Sequence, residues 1–199
     1  MNHPTPHAAL ARRPLPAALR DALQARFGDR FSTSAGVCEH HGRDESPFPP
    51  ALPDGVVFAH STEEVAEVAR LCNEHGVPLI PYGAGSSLEG HLLAVAGGIS
   101  LDLSQMNKVL AIQPEDLTVT VQPGVTRKQL NQEIKDTGLF FPIDPGADAS
   151  LGGMCATRRP GPTRCATAPC AKRAGADRGH RRWARDPHRH ARTQVVGGL

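Results

Sequence analysis

The feature that most constrains this chain is a glycine-rich stretch, Pro81 to His91, directly behind the apolar run Val77-Pro78-Leu79-Ile80. Such a run is typical of a buried strand. Gly83 and Gly85 can adopt positive φ and carry no Cβ, so their backbone N–H groups can approach an anion closely. The Ser86-Ser87 pair adds two hydroxyl donors. The stretch therefore predicts a phosphate-binding loop at a strand end, with an ordinary tight turn as the alternative.

The spacing of the glycines argues against two common nucleotide-binding folds. Glycines 83, 85 and 90 give G-x-G-x-x-x-x-G, whereas the Rossmann fingerprint is G-x-G-x-x-G. The segment that follows, Gly97 to Leu103, predicts a strand, although the Rossmann fold requires a helix there. The stretch also lacks the Gly-Lys-Ser/Thr ending of a P-loop.

Before the loop, the sequence predicts a helix and then a polar segment. The helix begins after Pro16 and ends at Gly28. Its apolar face consists of Leu19, Ala22, Leu23 and Phe27. The polar segment 32–53 contains His40-His41 beside acidic residues, a combination that could ligate a metal. Adjacent side chains point in different directions in most backbones, so we expect a solvated loop and no metal site.

A strand–helix–strand unit is predicted to lead into the glycine loop. Val56–Ala59 is typical of a short strand, and Ser61-Thr62-Glu63-Glu64 is a capping box that begins a helix. An apolar stripe then continues to a stop near Gly76. We expect a βαβ unit with a parallel pair of strands, with the loop at the exit of the second strand.

Behind the loop, the pattern predicts three strands, a helix and a second loop of small residues. The strands are expected at 98–103, 108–112 and 118–121. The helix begins at a second capping box, Thr126 to Gln129, and ends at Gly138. Residues 144–153 form the second loop, for which a plain turn is the alternative. Two such loops in one α+β domain would let both contact one extended ligand.

Composition divides the chain at residue 158. Residues 158–199 hold eleven basic and two acidic side chains, a net charge of +9, whereas residues 1–157 hold eleven basic and eighteen acidic ones, a net of −7. The five cysteines show no C-x-x-C pairing, which favours reduced thiols in a cytosolic protein. No apolar run approaches the ~18 residues of a membrane span, and no secretory signal is apparent. We expect a cytoplasmic location or peripheral attachment to a membrane.

With both loops considered, the sequence resembles the PCMH-type FAD-binding domain of the vanillyl-alcohol oxidase superfamily. Within it, the chain looks most like the branch of D-lactate dehydrogenase (cytochrome) and the glycolate oxidase large subunit. The resemblance covers residues 30–157. It is carried by the segments 41–46, 61–65, 81–91, 99–103, 122–131 and 141–153. It implies an α+β fold with an N-terminal βαβ subdomain and a second mixed subdomain, incomplete at the C-terminus, with residues 1–30 as an N-terminal helix and a frayed arm.

The resemblance implies FAD as the cofactor and two segments that contact it. The first resembles the loop that wraps the FAD diphosphate, and the second matches another flavin-contacting loop. The implied cofactor-binding residues are Pro81, Gly83, Ala84, Gly85, Ser86, Ser87, Pro145, Gly146, Ala147, Ser150, Gly152 and Gly153. The implied reaction is oxidation of a D-2-hydroxy acid, D-lactate first, by hydride transfer to FAD, with a cytochrome or quinone as electron acceptor.

The resemblance assigns no catalytic residue to this chain, because the catalytic groups of the family come largely from a C-terminal cap domain. Asp144 and Asp148 could form an acid–base pair, but carboxylates that cap loops are far commoner. The alternative to an oxidoreductase fragment is an inactive remnant of the flavin fold that does not bind FAD usefully.

The family pattern stops after Thr157. If one base is missing near codon 158 and another near codon 173, the shifted frame can yield the family's continuation. We therefore interpret residues 158–199 as a disordered, out-of-frame tail. The rival interpretation is a genuine basic tail that binds nucleic acid. Only Trp183 would offer the tail a stacking surface, so we expect no nucleic-acid partner, and we treat His188-x-His190 as accidental.

Overall fold

The computed structural model describes residues 12–143 and 145–157, and three short strands further along as backbone only. The described residues divide into two compact units. The first comprises residues 12–57, Glu67–Pro81 and Ser87–Leu101. The second comprises Phe58–Ala66, Tyr82–Ser86 and the described residues from Asp102 onward. The expectations for Asp144, for His188-x-His190 and for most of the tail lie outside the described residues.

The N-terminal helix forms where the sequence predicts it. Helix α1 spans Ala17–Phe27, buries Leu19, Leu23 and Phe27, and ends at Gly28, which has φ +54°. A 3-10 turn, η1 (Gly28–Arg30), leads to strand β1 (Phe31–Ser32). The apolar positions at helical spacing thus bury one face of α1.

The segment 32–53 is not a simple loop, because it contains helix α2 (Ala35–His41). His41 is only 3 % exposed, and its Nδ1 lies 2.9 Å from the Val37 carbonyl oxygen, one helical turn earlier. The expectation of a solvated histidine pair is therefore wrong for His41. The sequence pattern did not predict this helix, because only two of its residues, Cys38 and His41, are buried.

The next elements are strand β2 (Gly55–Phe58), helix α3 (Thr62–Glu74), strand β3 (Leu79–Tyr82) and strand β4 (Ile99–Asp102). They form a four-stranded sheet in the order β1-β2-β4-β3. β1 runs antiparallel to β2. On the other side of β2, the Asp54 N–H donates to the Gly98 carbonyl and the Ala59 N–H to the Asp102 carbonyl, an offset that makes β2 and β4 parallel.

β4 is also parallel to β3, since the Ile99 N–H donates to the Pro78 carbonyl and the Leu103 N–H to the Tyr82 carbonyl. The predicted strand–helix–strand unit exists. The prediction that β2 and β3 pair with each other is wrong, because β4 lies between them. All four residues of β4 are buried, as expected for a central strand covered on both faces.

The second unit contains strand β5 (Val109–Gln113) and strand β6 (Thr118–Val121), which form an antiparallel hairpin. Helix α4 (Arg127–Ile134) follows, and the Thr126 hydroxyl caps it by accepting the Gln129 N–H. A 3-10 turn, η2 (Lys135–Thr137), ends at Gly138 with φ +74°. Strand β7 (Leu139–Phe140) and helix α5 (Leu151–Thr157) complete the unit.

One apolar core holds this second unit together. Fully buried members include Val119, Val125, Leu130, Ile134 and Met154. They come from β6, α4, α5 and the turn between β6 and α4, so the hairpin and both helices share one interior. Removing any of these side chains would open a cavity in the core of this unit.

Three short strands lie in the segment assigned to the tail: β8 (Ala174–Gly175), β9 (Arg192–Gln194) and β10 (Val196–Gly197). β9 pairs antiparallel with both β6 and β8, and β10 pairs antiparallel with β7. The remaining residues from 158 onward are outside the described part of the chain, so the out-of-frame interpretation stays a prediction. In the described ranges, no helix is long and apolar enough to cross a membrane.

Candidate functional site

The first predicted loop leaves β3 at Tyr82. It has no regular secondary structure from Gly83 through Ser87, and no helix follows before β4. This agrees with the sequence-based exclusion of a Rossmann turn. Gly85 has φ +70°, a conformation that side chains rarely adopt. The backbone conformation therefore requires glycine at position 85.

The second loop is fixed to the segment that precedes α4. The Arg127 N–H donates to the Ala149 carbonyl over 3.1 Å, and the Leu151 N–H donates to the Val125 carbonyl over 2.8 Å. These two bonds frame an antiparallel bridge between Thr126 and Ser150. The position of Ser150 is thus set by backbone hydrogen bonding, and its side chain is 5 % exposed.

The two loops touch at Gly83 and Ser150. A Cβ placed on Gly83 would lie 2.5 Å from Ser150 Oγ and 3.5 Å from Ser150 Cβ. Gly83 and Ser150 are therefore in direct contact, and a side chain at 83 would force the Ser150 hydroxyl to move. Ser150 Oγ also accepts the Gly153 N–H over 3.3 Å, which leaves its own proton available for donation. The structure thus brings together residues that are 67 positions apart in the sequence.

Not every predicted residue of the second loop faces an open surface. A Cβ on Gly152 would lie 2.7 Å from Pro123 Cβ, and the Gly152 N–H donates to the Pro123 carbonyl over 2.9 Å. Packing on Pro123 is sufficient to explain this glycine. Gly146 has φ +84° and open space where a Cβ would stand, while Pro145 and Ala147 are half-buried.

The remaining predicted residues of the first loop differ in exposure. Pro81 and Ala84 are exposed, and Ser86 is half-buried. Ser87 belongs to the first unit, where its carbonyl accepts the Glu45 N–H over 2.9 Å. Its Oγ lies 2.9 Å from His91 Nδ1, so this hydroxyl has a partner within its own segment.

Sequence reasoning did not assign a role to Tyr82, which ends β3 and is 6 % exposed. A Cβ on Gly85 would lie 2.6 Å from the Tyr82 hydroxyl. Burial raises the pKa of the Tyr82 phenol, and the nearby charge of Asp102 raises it further. The phenol therefore keeps its proton at neutral pH. The sequence feature that could have pointed to Tyr82 is its position between Pro81 and Gly83 in the motif.

The carboxylate of Asp148 has a structural role. Its Oδ1 accepts the Lys128 N–H over 3.1 Å, at the beginning of α4. An acceptor there satisfies one of the free N–H groups of the helix start. This supports the expectation that Asp148 caps a loop rather than acting as an acid or base. Within the described ranges, no group of three or more His, Cys, Asp and Glu side chains could hold a metal ion.

The residues at the junction fit a flavin dinucleotide. Gly83 provides backbone without a side chain, and Ser150 provides a buried hydroxyl whose proton can be donated. Diphosphate groups are bound in this way by glycine-rich backbone with added hydroxyl donors.

The family described as "FAD binding domain" matches residues 53–171, more than half of the chain. The match extends past Thr157, where the sequence analysis ends the domain. The chain is 51 % identical over 130 residues to a protein of Danio rerio named probable D-lactate dehydrogenase, mitochondrial, covering 65 % of this chain and 26 % of that protein.

A second relative is D-lactate dehydrogenase [cytochrome], mitochondrial, of Arabidopsis thaliana, 44 % identical over 146 residues, covering 72 % of this chain and 26 % of the relative. This chain thus spans about a quarter of the length of these curated relatives. Among solved structures, an alkyldihydroxyacetonephosphate synthase matches with a TM-score of 0.73 and 25 % identity, covering 83 % of this chain and 36 % of that one. The loop geometry and the family match lead to one conclusion: the chain belongs to the FAD-binding domain family.

Proposed function

We propose that this chain binds FAD through its two loops and forms the flavin-binding part of an oxidoreductase for D-2-hydroxy acids, with D-lactate as the first candidate substrate. The observation that carries the proposal is the contact between Gly83 and Ser150. It joins the two segments that the sequence assigns to one cofactor. The names of the relatives from Danio rerio and Arabidopsis thaliana support the choice of D-lactate.

The proposal assigns distinct tasks to the two loops. Residues Gly83 to Ser86 hold the diphosphate with backbone N–H groups, because the glycines allow close approach. Ser150 donates its hydroxyl proton to the same region, since its lone pair already accepts the Gly153 N–H. Gly146 has open space at its Cβ position and positive φ, so the cofactor can lie against its backbone. Pro81, Ser87, Pro145, Ala147, Gly152 and Gly153 complete the proposed cofactor-binding set.

FAD, when bound, supplies an acceptor for the hydride that leaves C2 of the hydroxy acid, while the hydroxyl proton leaves to a base and a 2-oxo acid results. We assign that base to the cap domain of the family, because the resemblance gives this chain no catalytic residue. The proposed electron acceptor is a cytochrome or a quinone. A location in the cytoplasm or at a membrane surface stays a prediction.

The test is purification of the 199-residue chain, addition of FAD and measurement of flavin absorbance and fluorescence after gel filtration. We expect stoichiometric flavin to coelute with the chain, and no D-lactate-dependent dye reduction, since binding groups are present and catalytic ones are not assigned. A colourless or aggregating product would instead support the inactive remnant. Dye reduction by this chain would contradict the assignment of the catalytic base to the cap domain.

A further inference from the structure

The only tyrosine of the sequence lies under the first loop. Tyr82 ends β3, its carbonyl accepts the Leu103 N–H over 3.0 Å, and its side chain is 6 % exposed. Its backbone is therefore fixed by Leu103, and its ring is enclosed by the protein. A rigid aromatic ring fixed in this way places its hydroxyl at a defined point.

That point is directly beneath Gly85. A Cβ on Gly85 would lie 3.3 Å from Tyr82 Cζ and 2.6 Å from the Tyr82 hydroxyl, and the second distance is shorter than real Cβ contacts. The Tyr82 hydroxyl cannot move away as the end of a flexible side chain could, because it is attached to a rigid, buried ring. Gly85 also has φ +70°, so the loop turns sharply where it passes the hydroxyl. The backbone of the turn thus rests on the phenol.

The phenol keeps its proton in this setting. Burial and the charge of Asp102, itself 4 % exposed, both raise the pKa of Tyr82. Asp102 is fixed in turn, since its Oδ1 accepts the Ser104 N–H over 2.7 Å. A protonated phenol carries no charge, so it does not repel the anion that the loop is expected to hold.

We propose that Tyr82 is a positioning residue for the cofactor diphosphate: its hydroxyl beneath Gly85 holds the Gly83 to Ser86 turn in the conformation that binds the two phosphates. This inference rests on the proposed function of the loops. It concerns the diphosphate alone. The effect of Tyr82 should therefore appear with ligands that carry phosphates and be absent with those that lack them.

The first experiment compares Tyr82→Phe with the unaltered full chain, using FAD and riboflavin as ligands. We expect the Kd for FAD to rise roughly three- to tenfold, because without the hydroxyl the Gly83 to Ser86 turn is less well held in its binding conformation. The Kd for riboflavin, which has no phosphate, should not change. Thr137→Val is the matched control, because it removes one hydroxyl, bonded to the Ile134 carbonyl, outside both loops. It should leave both Kd values unchanged.

A second experiment needs no variant. Because Tyr82 is the only tyrosine, its phenol can be titrated by near-ultraviolet absorbance with and without saturating ADP, which carries the diphosphate without the flavin. We expect ADP to move the titration to higher pH, since a nearby anion disfavours the phenolate. This result does not depend on whether Tyr82→Phe folds.

The outcomes separate the two proposals. If the unaltered chain binds FAD, an equal Kd for Tyr82→Phe together with an unmoved phenol titration overturns the role of Tyr82 and leaves the proposed function intact. Equal loss of FAD and riboflavin binding in Tyr82→Phe would also overturn it, because that pattern indicates general disruption. Failure of the unaltered chain to bind FAD would overturn both proposals.

Discussion

At the scale of single residues, glycine is required at different positions of the two loops for different physical reasons. Gly85 requires a positive φ and also lies against a phenol hydroxyl. Gly83 has no positive φ and is required by space alone, since Ser150 Oγ occupies the place of its Cβ. Gly152 is required by Pro123. The glycines of one motif are therefore required by several separate contacts, and only some of these contacts involve a ligand.

Gly83→Ala is expected to destabilise the chain by about 1–3 kcal/mol, because the new methyl group would overlap Ser150 Oγ at 2.5 Å. Combining it with Ser150→Ala should recover most of this loss, since the Ser150 Cβ lies at an ordinary contact distance of 3.5 Å. Urea unfolding of the two single variants and the double variant measures the coupling. Additive losses would contradict direct contact between the loops.

Gly36→Ala serves as the matched control for that experiment. Gly36 is exposed on α2, and nothing lies within 4 Å of its Cβ position. The substitution should stabilise the helix by about 0.5–1 kcal/mol, because alanine loses less backbone entropy on folding than glycine. FAD binding, measured by flavin fluorescence, should be unaffected.

At the scale of elements, helix α3 shows how closely a local signal can predict structure. The Ser61 hydroxyl accepts the Glu64 N–H over 3.3 Å, as the capping box predicts. The Glu64 carboxylate accepts the N–H of His60, one residue before the cap, over 2.8 Å. Two free N–H groups are thus satisfied at the beginning of the helix.

Ser61→Ala is expected to cost about 1 kcal/mol of stability, because it removes the N-cap acceptor of α3. Thr62→Ala, at the exposed neighbouring position, is the control and should change the free energy of unfolding much less. Thermal and urea unfolding of both variants would measure the difference. Equal effects would show that the cap contributes little.

Cys72, on the buried face of α3, gives the chain a pH-dependent stability. Burial raises the pKa of its thiol from 9.0 to about 11. Between these values the unfolded chain loses the proton that the folded chain keeps, so stability falls as pH rises from about 9 to 11, by up to roughly 2–3 kcal/mol. Burial also raises the pKa of Cys38, which contributes in the same direction.

The measurement is urea unfolding of the unaltered chain and of Cys72→Ala at pH 8 and at pH 11. The unaltered chain should lose more stability than the variant over this interval, because the variant has no thiol to ionise at this position. At pH 8 the variant should be less stable than the unaltered chain, since it has lost buried volume. An identical pH dependence in both chains would exclude Cys72 as its source.

At the scale of the whole molecule, the interpretation of the segment from residue 158 onward makes a prediction about the gene. One added base near codon 158 and another near codon 173 should restore an open frame that continues the family pattern. Sequencing of the genomic DNA and the transcript would check it. A clean frame without such positions would favour a genuine basic tail. The family match extends into this segment, to residue 171.

Local patterns predicted most of the elements. Helix α1, the capped helices α3 and α4, strands β2 to β6 and the stop at Gly138 appear near their predicted places. The sequence missed α2, whose surface is largely polar, and α5, which begins inside the predicted second loop at Leu151, and it placed β2 beside β3. Sequence spacing alone cannot show that β4 inserts between them, because strand order depends on which backbone edges pair in three dimensions.

The sequence by itself determined two loops rich in small residues and the helices and strands between them, because glycine conformation, capping boxes and apolar periodicity are local properties, and its resemblance to a known family implied FAD. Only the tertiary structure decided that Ser150 lies against Gly83 and that Tyr82 lies beneath Gly85. The backbone bonds of Val125 and Arg127 position Ser150, and the bond from Leu103 to Tyr82 fixes the end of β3. Contacts between distant segments of this kind depend on packing, which no local pattern records.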